Sequence, residues 1–409
     1  MLICDVSRAY FYAPVEKKIF VELPDEDKTE GLDEVAELNF SLYGTRAAAA
    51  NWHKKYSDHL RSIGFISGVS NPCLFFHPLR DLQVLVHGDD YAIVGEDADL
   101  NWIEAEIRKE FEIKTVRFGP GHDGRSPGAA TSGPVGEKSV VSILGRILEW
   151  RTEGITFEAD PRYAEIIIRE LGLAEGKSVT TPGVKAPTDE EEEEGVELGS
   201  TEATKYRSIA ARVNYLALDR GDLTYAAKEG SRKMSKPHER DWGMLKRIGR
   251  YLKYRPRAVI WYRWQEDNGH LEAFTDSDWA GCRMTRRSTT GGALMRGDHL
   301  LKTYSKTQAN IALSSGEAEL YATVRTSSEW LGRCSIAKDW GMSMMGRVWA
   351  DASAALGIVG RQGLGKVRHL DTNVLWVQEA VLRKKLLYCK VRGEHNIADL
   401  MAKYLDHDT

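Results

Sequence analysis

Cysteine, long apolar runs and a charge excess of either sign are scarce or absent in this 409-residue chain. The cysteines form no CxxC pair, so neither a disulfide framework nor a thiolate zinc site is indicated; the five are Cys4, Cys73, Cys282, Cys334 and Cys389. No apolar run approaches the ~20 residues that span a bilayer, and residues 1–5 lack the build of a signal peptide. We therefore expect an intracellular protein, cytoplasmic or nuclear, with no membrane partner.

The composition is that of a folded globular protein, with 42% hydrophobic and 28% charged residues. The net charge of −4 hides an uneven distribution. Residues 188–202 contain eight acidic and no basic residues, and residues 205–263 contain sixteen Lys or Arg against five Asp or Glu. The first pattern predicts a solvated linker, and the second favours contact with a phosphate backbone. The alternative for the second is an ordinary solvated helix face.

Apolar residues recur at helical spacing in three places, which predicts three helices. The first stripe runs from Trp52 to Ile63 and stops at Gly64, and the second runs from Leu100 to Phe111. In the third, an apolar stripe from Trp242 to Leu252 alternates with cations that we interpret as nucleic-acid-binding, namely Lys246, Arg247, Arg250 and Lys253. The Gly-, Pro- and Ser-rich residues 119–136 predict a surface loop.

Residues 82–94 read as a β-hairpin, with two β-prone runs joined by a polar centre that contains Asp89 and Asp90. Adjacent carboxylates repel each other unless a cation lies between them and a further acid, so the pair suggests divalent-metal binding. The alternative is a plain solvated turn, which Asp and Gly favour for backbone reasons. Asp5, after an apolar start and five residues before Tyr10, is a candidate third carboxylate.

Together these residues resemble the palm of reverse transcriptases. The resemblance implies that Asp5 and Asp89 bind two Mg²⁺ ions, that Asp90 supports them, and that Tyr10 excludes a ribose 2′ hydroxyl. Its partners would be an RNA template and a DNA primer. Residues 41–46, SLYGTR, resemble an element of copia-type LTR retrotransposon polymerases, although Ala47, Ala48 and Ala49 replace the family's Gln-Ala-Pro stretch. Short motifs from Tyr206 to Lys253 extend this resemblance.

Four more acidic residues stand at the ends of apolar runs or in first helical turns of the C-terminal third: Asp276, Glu319, Asp351 and Asp399. Such positions can converge on one sheet edge, where cations relieve their repulsion. The alternative gives each acid a separate capping role at a helix N-terminus. Ser314 to Glu317 reads as a capping box.

The order Asp, Glu, Asp, Asp and the surrounding motifs resemble ribonuclease H of the copia type. The resemblance implies hydrolysis of the RNA strand of RNA–DNA hybrids by two Mg²⁺ or Mn²⁺ ions. Selectivity would come from 2′ hydroxyls in the minor groove. Asp278 should face the other side of its strand in a structural role, and for His369 and His395 we favour surface roles.

We therefore expect an α+β and α/β multidomain fold, with a palm-like antiparallel sheet followed by a ribonuclease H-like mixed sheet. The predicted divisions are a palm and thumb without fingers over 1–185, an acidic linker over 186–204, basic connection helices over 205–265 and a ribonuclease H-like domain over 266–409. The expected function is a ribonuclease H with an incomplete polymerase, which would need upstream fingers sequence or other Pol products. The alternative is a non-catalytic nucleic-acid-binding remnant.

Overall fold

The computed structural model describes residues 1–29, 34–119, 140–184 and 195–404. The chain divides into two compact units. The N-terminal unit comprises Met1–Val140 and Ser335–Ser343, and the C-terminal unit comprises Val141–Cys334 and Met344–Thr409.

The N-terminal unit is built on an antiparallel sheet with the strand order β4-β5-β6-β7-β1-β8, accompanied by a small β2-β3 hairpin and two helices. Apolar residues of the sheet and the helices share one core, which includes Leu2, Trp52, Leu60 and Ile103. The elements are β1 (Leu2–Val6), β2 (Phe20–Glu22), β3 (Val35–Glu37), α1 (Ala48–Ser62), β4 (Ile66–Ser67), β5 (Leu74–His77), β6 (Leu82–His87), β7 (Asp90–Val94), α2 (Asp97–Glu110) and β8 (Ile113–Arg117).

The C-terminal unit begins with a four-stranded antiparallel sheet, ordered β12-β11-β10-β9, and four helices. The helices bury a second core in which Ile167, Tyr206, Val213 and Ile248 are almost fully shielded from solvent. The elements are β9 (Val140–Ile143), β10 (Arg146–Arg151), β11 (Gly154–Ala159), α3 (Arg162–Glu170), α4 (Ser200–Leu216), α5 (Thr224–Ser231), α6 (Trp242–Tyr254) and β12 (Ile260–Arg263).

A five-stranded mixed sheet, ordered β15-β14-β13-β16-β17, completes this unit. Strand β13 lies at its centre, antiparallel to β14 and parallel to β16, and β17 is parallel to β16. The elements are β13 (His270–Ser277), β14 (Thr289–Arg296), β15 (His299–Thr307), α7 (Ser315–Asp339), β16 (Met345–Ala350), α8 (Ser353–Val359), α9 (Trp376–Leu382), β17 (Leu387–Lys390) and α10 (Asp399–Ala402). The residues of α7 from Ser335 onward are grouped with the N-terminal unit.

The structure confirms the predicted hairpin at residues 82–94 and the three helices with apolar stripes, which are α1, α2 and α6. The predicted order of sheets is confirmed too, because an antiparallel sheet with helices precedes a five-stranded mixed sheet with helices.

Two predicted segments fall wholly or partly outside the described residues: the loop at 119–136 beyond Gly119, and the first half of the acidic linker, up to residue 194. The end of the predicted linker is helical, because α4 begins at Ser200. Residues 141–184 belong to the second compact unit, whereas the sequence-based division groups them with the first domain. The four-part domain division stays a prediction. No helix in the described ranges combines the length and apolar character needed to cross a membrane.

Candidate metal centre and nucleic-acid interface

Two of the predicted carboxylates lie at the ends of neighbouring parallel strands. Asp276 is the penultimate residue of β13, and Asp351 directly follows β16. The register pairs Thr275 with Ala350, so the chain brings both acids to the same edge of the sheet. The carboxyl ends of strands are a common location for binding sites in open α/β sheets.

Helix α7 adds Glu319 and distinguishes it from its neighbour Glu317. The Glu317 N–H donates to the Ser314 hydroxyl at 3.2 Å, which is one half of the predicted capping box. The Glu317 carboxylate instead accepts hydrogen bonds from the Leu313 N–H, the Tyr321 hydroxyl and the His369 ring, each between 2.9 and 3.1 Å. Glu317 is therefore occupied by local structure, whereas among the described residues Glu319 accepts from only the Ser277 N–H, at 3.2 Å.

Asp399 is the first residue of α10, which packs closely on the sheet. The Asn396 amide donates to the Thr275 carbonyl at 2.9 Å and fixes the segment just before the helix. At Gly291 of β14, an added Cβ would lie 2.6 Å from the Ala398 carbonyl oxygen and 2.7 Å from the Ala402 nitrogen. A glycine here lets the helix backbone approach the sheet, which brings Asp399 beside Asp276.

The ligand atoms of Asp276, Glu319 and Asp351 lie within 4.8 Å of one another. Asp276 is 3% exposed and Glu319 is 8% exposed, and each keeps one buried oxygen, Oδ2 of Asp276 and Oε2 of Glu319, that receives no hydrogen bond from the described part of the chain. Buried acceptors without donors are rare because they cost free energy. Hard oxygen donors in this arrangement suit a divalent cation such as Mg²⁺ or Mn²⁺. The residues present therefore fit a metal centre.

Burial and the closeness of the other carboxylates raise the pKa values of Asp276 and Glu319. Burial, then Asp399, raise the pKa of Asp276 to about 8, and burial followed by Asp276 and Asp351 raises the pKa of Glu319 to about 8. Lys403, one turn after Asp399 on the chain, lies 2.9 Å from the Asp399 carboxylate. Burial lowers the pKa of Lys403, but the hydrogen bond to Asp399 and the nearby carboxylates raise it by more. Lys403 thus supplies positive charge to the cluster.

The structure also places Asp278, His395 and His369, for which the sequence predicts structural or surface roles. Asp278 accepts the Thr289 N–H at 2.5 Å, which agrees with a structural role. His395 is exposed and lies 3.7 Å from Glu394, which agrees with a surface role. His369 is exposed, which agrees with a surface role, and its ring lies 2.9 Å from the buried Glu317 carboxylate.

In the N-terminal unit, Asp5 of β1 lies opposite Asp90 of β7, and Asp89 occupies the turn before Asp90. Gly88 has a φ of +65° at the first position of this two-residue turn, where glycine is favoured. The Trp52 indole donates to the Gly88 carbonyl at 2.7 Å, so α1 holds the turn in place.

These three acids are close enough to interact but are more open than the C-terminal set. Burial, then Asp89 and Asp5, raise the pKa of Asp90. Asp5 and Asp89 are exposed, and the trio does not bring its oxygens within 4.8 Å of one another as the C-terminal carboxylates do. Tyr10 packs against Tyr43, with ring centroids 4.5 Å apart, and the charges of Asp89 and Asp5 help to raise the Tyr43 pKa after burial.

The four predicted nucleic-acid-binding cations of α6 divide into two pairs. Lys246 and Arg250 are exposed. Arg247 donates to the Thr181 hydroxyl at 2.7 Å, and Lys253 donates to the carbonyls of Ala174 and Gly176. The first pair is available to phosphates, whereas the second pair is engaged within the protein.

Sequence reasoning missed three residues at these sites: Lys403, Asn396 and Tyr43. Lys403 had a usable signal, since a cation four residues after an acid on a helix faces it. Tyr43 lay within the SLYG element, but nothing in the sequence placed its ring beside Tyr10. Asn396 had no local signal, because its partner Thr275 is 121 residues away.

The sequence of this chain is similar to reverse transcriptases and to retrotransposon Pol polyproteins. Residues 2–120 match the family model for reverse transcriptase (RNA-dependent DNA polymerase). The chain is 25% identical to the retrovirus-related Pol polyprotein from transposon TNT 1-94 of Nicotiana tabacum, over 98% of the chain and 29% of the relative. It is 26% identical to that from transposon RE1 of Arabidopsis thaliana, over 98% of the chain and 26% of the relative. The chain thus spans little more than a quarter of the length of these relatives.

Among solved structures, a foamy viral protease-reverse transcriptase in complex with an RNA/DNA hybrid is similar over 99% of this chain and 45% of the viral one. The TM-score is 0.55 and the identity 11%, so the likeness concerns the fold.

Proposed function

Because the chain belongs to the copia-type retrotransposon Pol polyprotein family, we propose that its C-terminal carboxylates hydrolyse the RNA strand of RNA–DNA hybrids. The observation that carries this proposal is the convergence of Asp276, Glu319 and Asp351 within 4.8 Å, with donor-free buried oxygens on the first two. The hybrid in the similar viral structure supports the choice of substrate class.

In this proposal, Asp276, Glu319, Asp351 and Asp399 hold two divalent cations, Mg²⁺ or Mn²⁺. When bound, the cations supply the charge that activates water and stabilises the leaving oxygen. The protein orients the ligands: Ser277 fixes one oxygen of Glu319, Asn396 fixes the approach of α10, and Lys403 fixes Asp399. The same contacts hold the carboxylates in place before substrate arrives, which lowers the cost of ordering them.

RNA-directed DNA synthesis is a second candidate function, favoured by the pairing of Asp5 with Asp90 and by the turn that carries Asp89. In this proposal, Asp5 and Asp89 bind metal, Asp90 supports them, and Tyr10, backed by Tyr43, screens the sugar of the incoming nucleotide. Lys246 and Arg250 then contact the backbone of the template and primer. In this proposal the four-part domain division predicted from the sequence is kept, with DNA synthesis assigned to residues 1–185 and RNA cleavage to residues 266–409.

Cleavage of a labelled RNA strand in an RNA–DNA hybrid tests the first proposal. We expect cleavage by the wild-type chain with Mg²⁺ or Mn²⁺ and a loss of at least roughly 100-fold in Asp276→Asn, which keeps the shape but removes one ligand charge. Asp298→Asn is the matched control, because Asp298 is exposed in the β14–β15 turn. If folded wild-type protein binds the hybrid but leaves the RNA intact, the chain is instead a non-catalytic nucleic-acid-binding remnant.

A further inference from the structure

A cavity of about 800 Å³ adjoins the carboxylate cluster within the C-terminal unit. Its walls come from residues 180–183, α5, the end of α6 and the segment from 393 to 404. Asp399 and Lys403 belong to its lining and also to the cluster. The cavity is therefore continuous with the site where the scissile phosphate would lie, and its volume is typical of ligand-binding clefts.

Arg255 lines the cavity, and a neighbouring buried arginine, Arg220, holds its backbone in place. Arg220, which is 2% exposed, donates to the backbone carbonyls of Arg255 and Pro256 at 3.0 and 3.3 Å. Arg220 also pairs with Asp222 at 2.7 Å, and the Tyr251 hydroxyl donates to the same carboxylate. This buried network fixes the chain where α6 ends, so Arg255 stays at the rim.

The three carboxylates that line the cavity, Asp222, Glu394 and Asp399, have close ion-pair partners other than Arg255, although Arg255 acts on Asp222 at longer range. Asp222 is neutralised by Arg220, and Asp399 is paired with Lys403. The Arg255 guanidinium makes no hydrogen bond or ion pair with any part of the chain that the structure describes. An exposed guanidinium that lines a cavity adjoining the carboxylate cluster, and that has no close ion-pair partner in the described residues, is suited to a phosphate group.

One wall of the cavity is aromatic. The rings of Tyr225 and Tyr404 meet edge to face, with centroids 4.6 Å apart. Residue 183 is glycine, and an added Cβ would lie 1.9 Å from the Tyr404 ring, so the loop can close directly against the aromatic pair. Aromatic rings beside a cation form the usual surface for a nucleic-acid strand, because bases and sugars pack on the rings while phosphates contact the cation.

We propose that this cavity binds the nucleotides of the RNA strand that continue beyond the scissile phosphate, with Arg255 pairing with one of their phosphates. This inference rests on the proposed ribonuclease function, which puts the RNA strand at Asp399. It assigns a substrate-binding role to the helical segment upstream of the nuclease sheet. The strand choice follows from continuity, since the strand that reaches the carboxylates is the one that enters the adjoining cavity.

The test is binding of hybrids that carry single neutral methylphosphonate linkages, placed near the cleavage site in either the RNA or the DNA strand. Binding is measured in Ca²⁺ or EDTA, so it does not depend on cleavage. We expect one RNA-strand position to weaken wild-type binding about 5- to 10-fold, and Arg255→Ala to show no such sensitivity. Arg255→Ala should also reduce the salt slope by about one. Its kcat should stay near the wild-type value while KM rises.

Arg383→Ala is the matched control, since Arg383 is exposed directly after α9 and pairs with Glu379 outside the cavity. Sensitivity confined to the DNA strand, or the same RNA-strand sensitivity in wild type and Arg255→Ala, would overturn the inference. Absence of cleavage in a wild-type chain that still shows the Arg255-dependent pattern would overturn the proposed hydrolysis alone.

Discussion

Buried carboxyl oxygens without hydrogen-bond donors are the clearest residue-level sign of function in the described part of this chain. Asp276 and Glu319 each bury an oxygen without a donor, and the pKa of each is about 8. An isolated helix-capping role would leave such carboxylates solvated or hydrogen-bonded, as Glu317 is. The cluster is therefore better explained by a cation than by separate caps.

The unfavourable burial of these carboxylates should be visible in the pH dependence of the stability of the metal-free protein. A carboxyl whose pKa is raised from about 4 in the unfolded chain to about 8 in the folded protein stabilises the fold at low pH. That stabilisation is lost as the pH rises through 8. We expect Asp276→Asn, which cannot ionise, to raise the melting temperature in EDTA at pH 8.5 by roughly 2–8 °C relative to wild type.

The melting temperatures of wild type and Asp276→Asn are also compared at pH 5.5 and with added Mg²⁺. At pH 5.5 the difference between variant and wild type should shrink, and Mg²⁺ should stabilise the wild-type protein more than the variant. Differential scanning fluorimetry measures both. An Asp276→Asn protein that melts below wild type at pH 8.5 in EDTA would show that the carboxylate stabilises the fold without metal.

At the scale of single elements, α10 depends on a contact that its own sequence does not encode. The helix has only four residues, and its approach to the sheet depends on the glycine at position 291. We expect Gly291→Ala to move α10 and Asp399 away from Asp276. Hybrid cleavage should fall at least tenfold, and the free energy of unfolding should fall by ~1–3 kcal/mol.

Gly332→Ala is the control for this substitution, because Gly332 lies in α7 with nothing within 4 Å of an added Cβ. It should keep cleavage and leave stability unchanged or slightly higher, since alanine favours a helix. Cleavage rates and chemical denaturation test both variants. Wild-type cleavage by a folded Gly291→Ala protein would contradict the role given to the close approach.

The elements also show what sequence can and cannot provide. Periodicity was enough for α1, α2 and α6, and hairpin composition was enough for the turn that carries Asp89, because these signals are local. The Ser314 cap was found, but the partner of Glu317 was not, since Leu313 and His369 compete for its oxygens. Contacts across the sheet, such as Asn396 with Thr275, are set by register and have no local signal.

At the scale of the whole molecule, the two carboxylate clusters belong to different compact units. Asp5, Asp89 and Asp90 lie in the N-terminal unit, and Asp276, Glu319, Asp351 and Asp399 lie in the C-terminal unit. Each cluster has its own supporting contacts: Trp52 holds the first, and Asn396 and Lys403 hold the second. The chain therefore contains two candidate sites that do not share side chains.

This separation predicts that the two chemistries can be removed independently. Asp89→Asn should leave RNA cleavage within about twofold of wild type, since sites without shared partners behave additively, whereas Asp276→Asn should abolish it. Cleavage of the same labelled hybrid measures both, and circular dichroism establishes that both variants fold. Loss of RNA cleavage in a folded Asp89→Asn protein would mean that the nuclease requires the palm carboxylates. Correct positioning of the hybrid would then depend on both clusters, and the C-terminal carboxylates alone would not be sufficient for RNA cleavage.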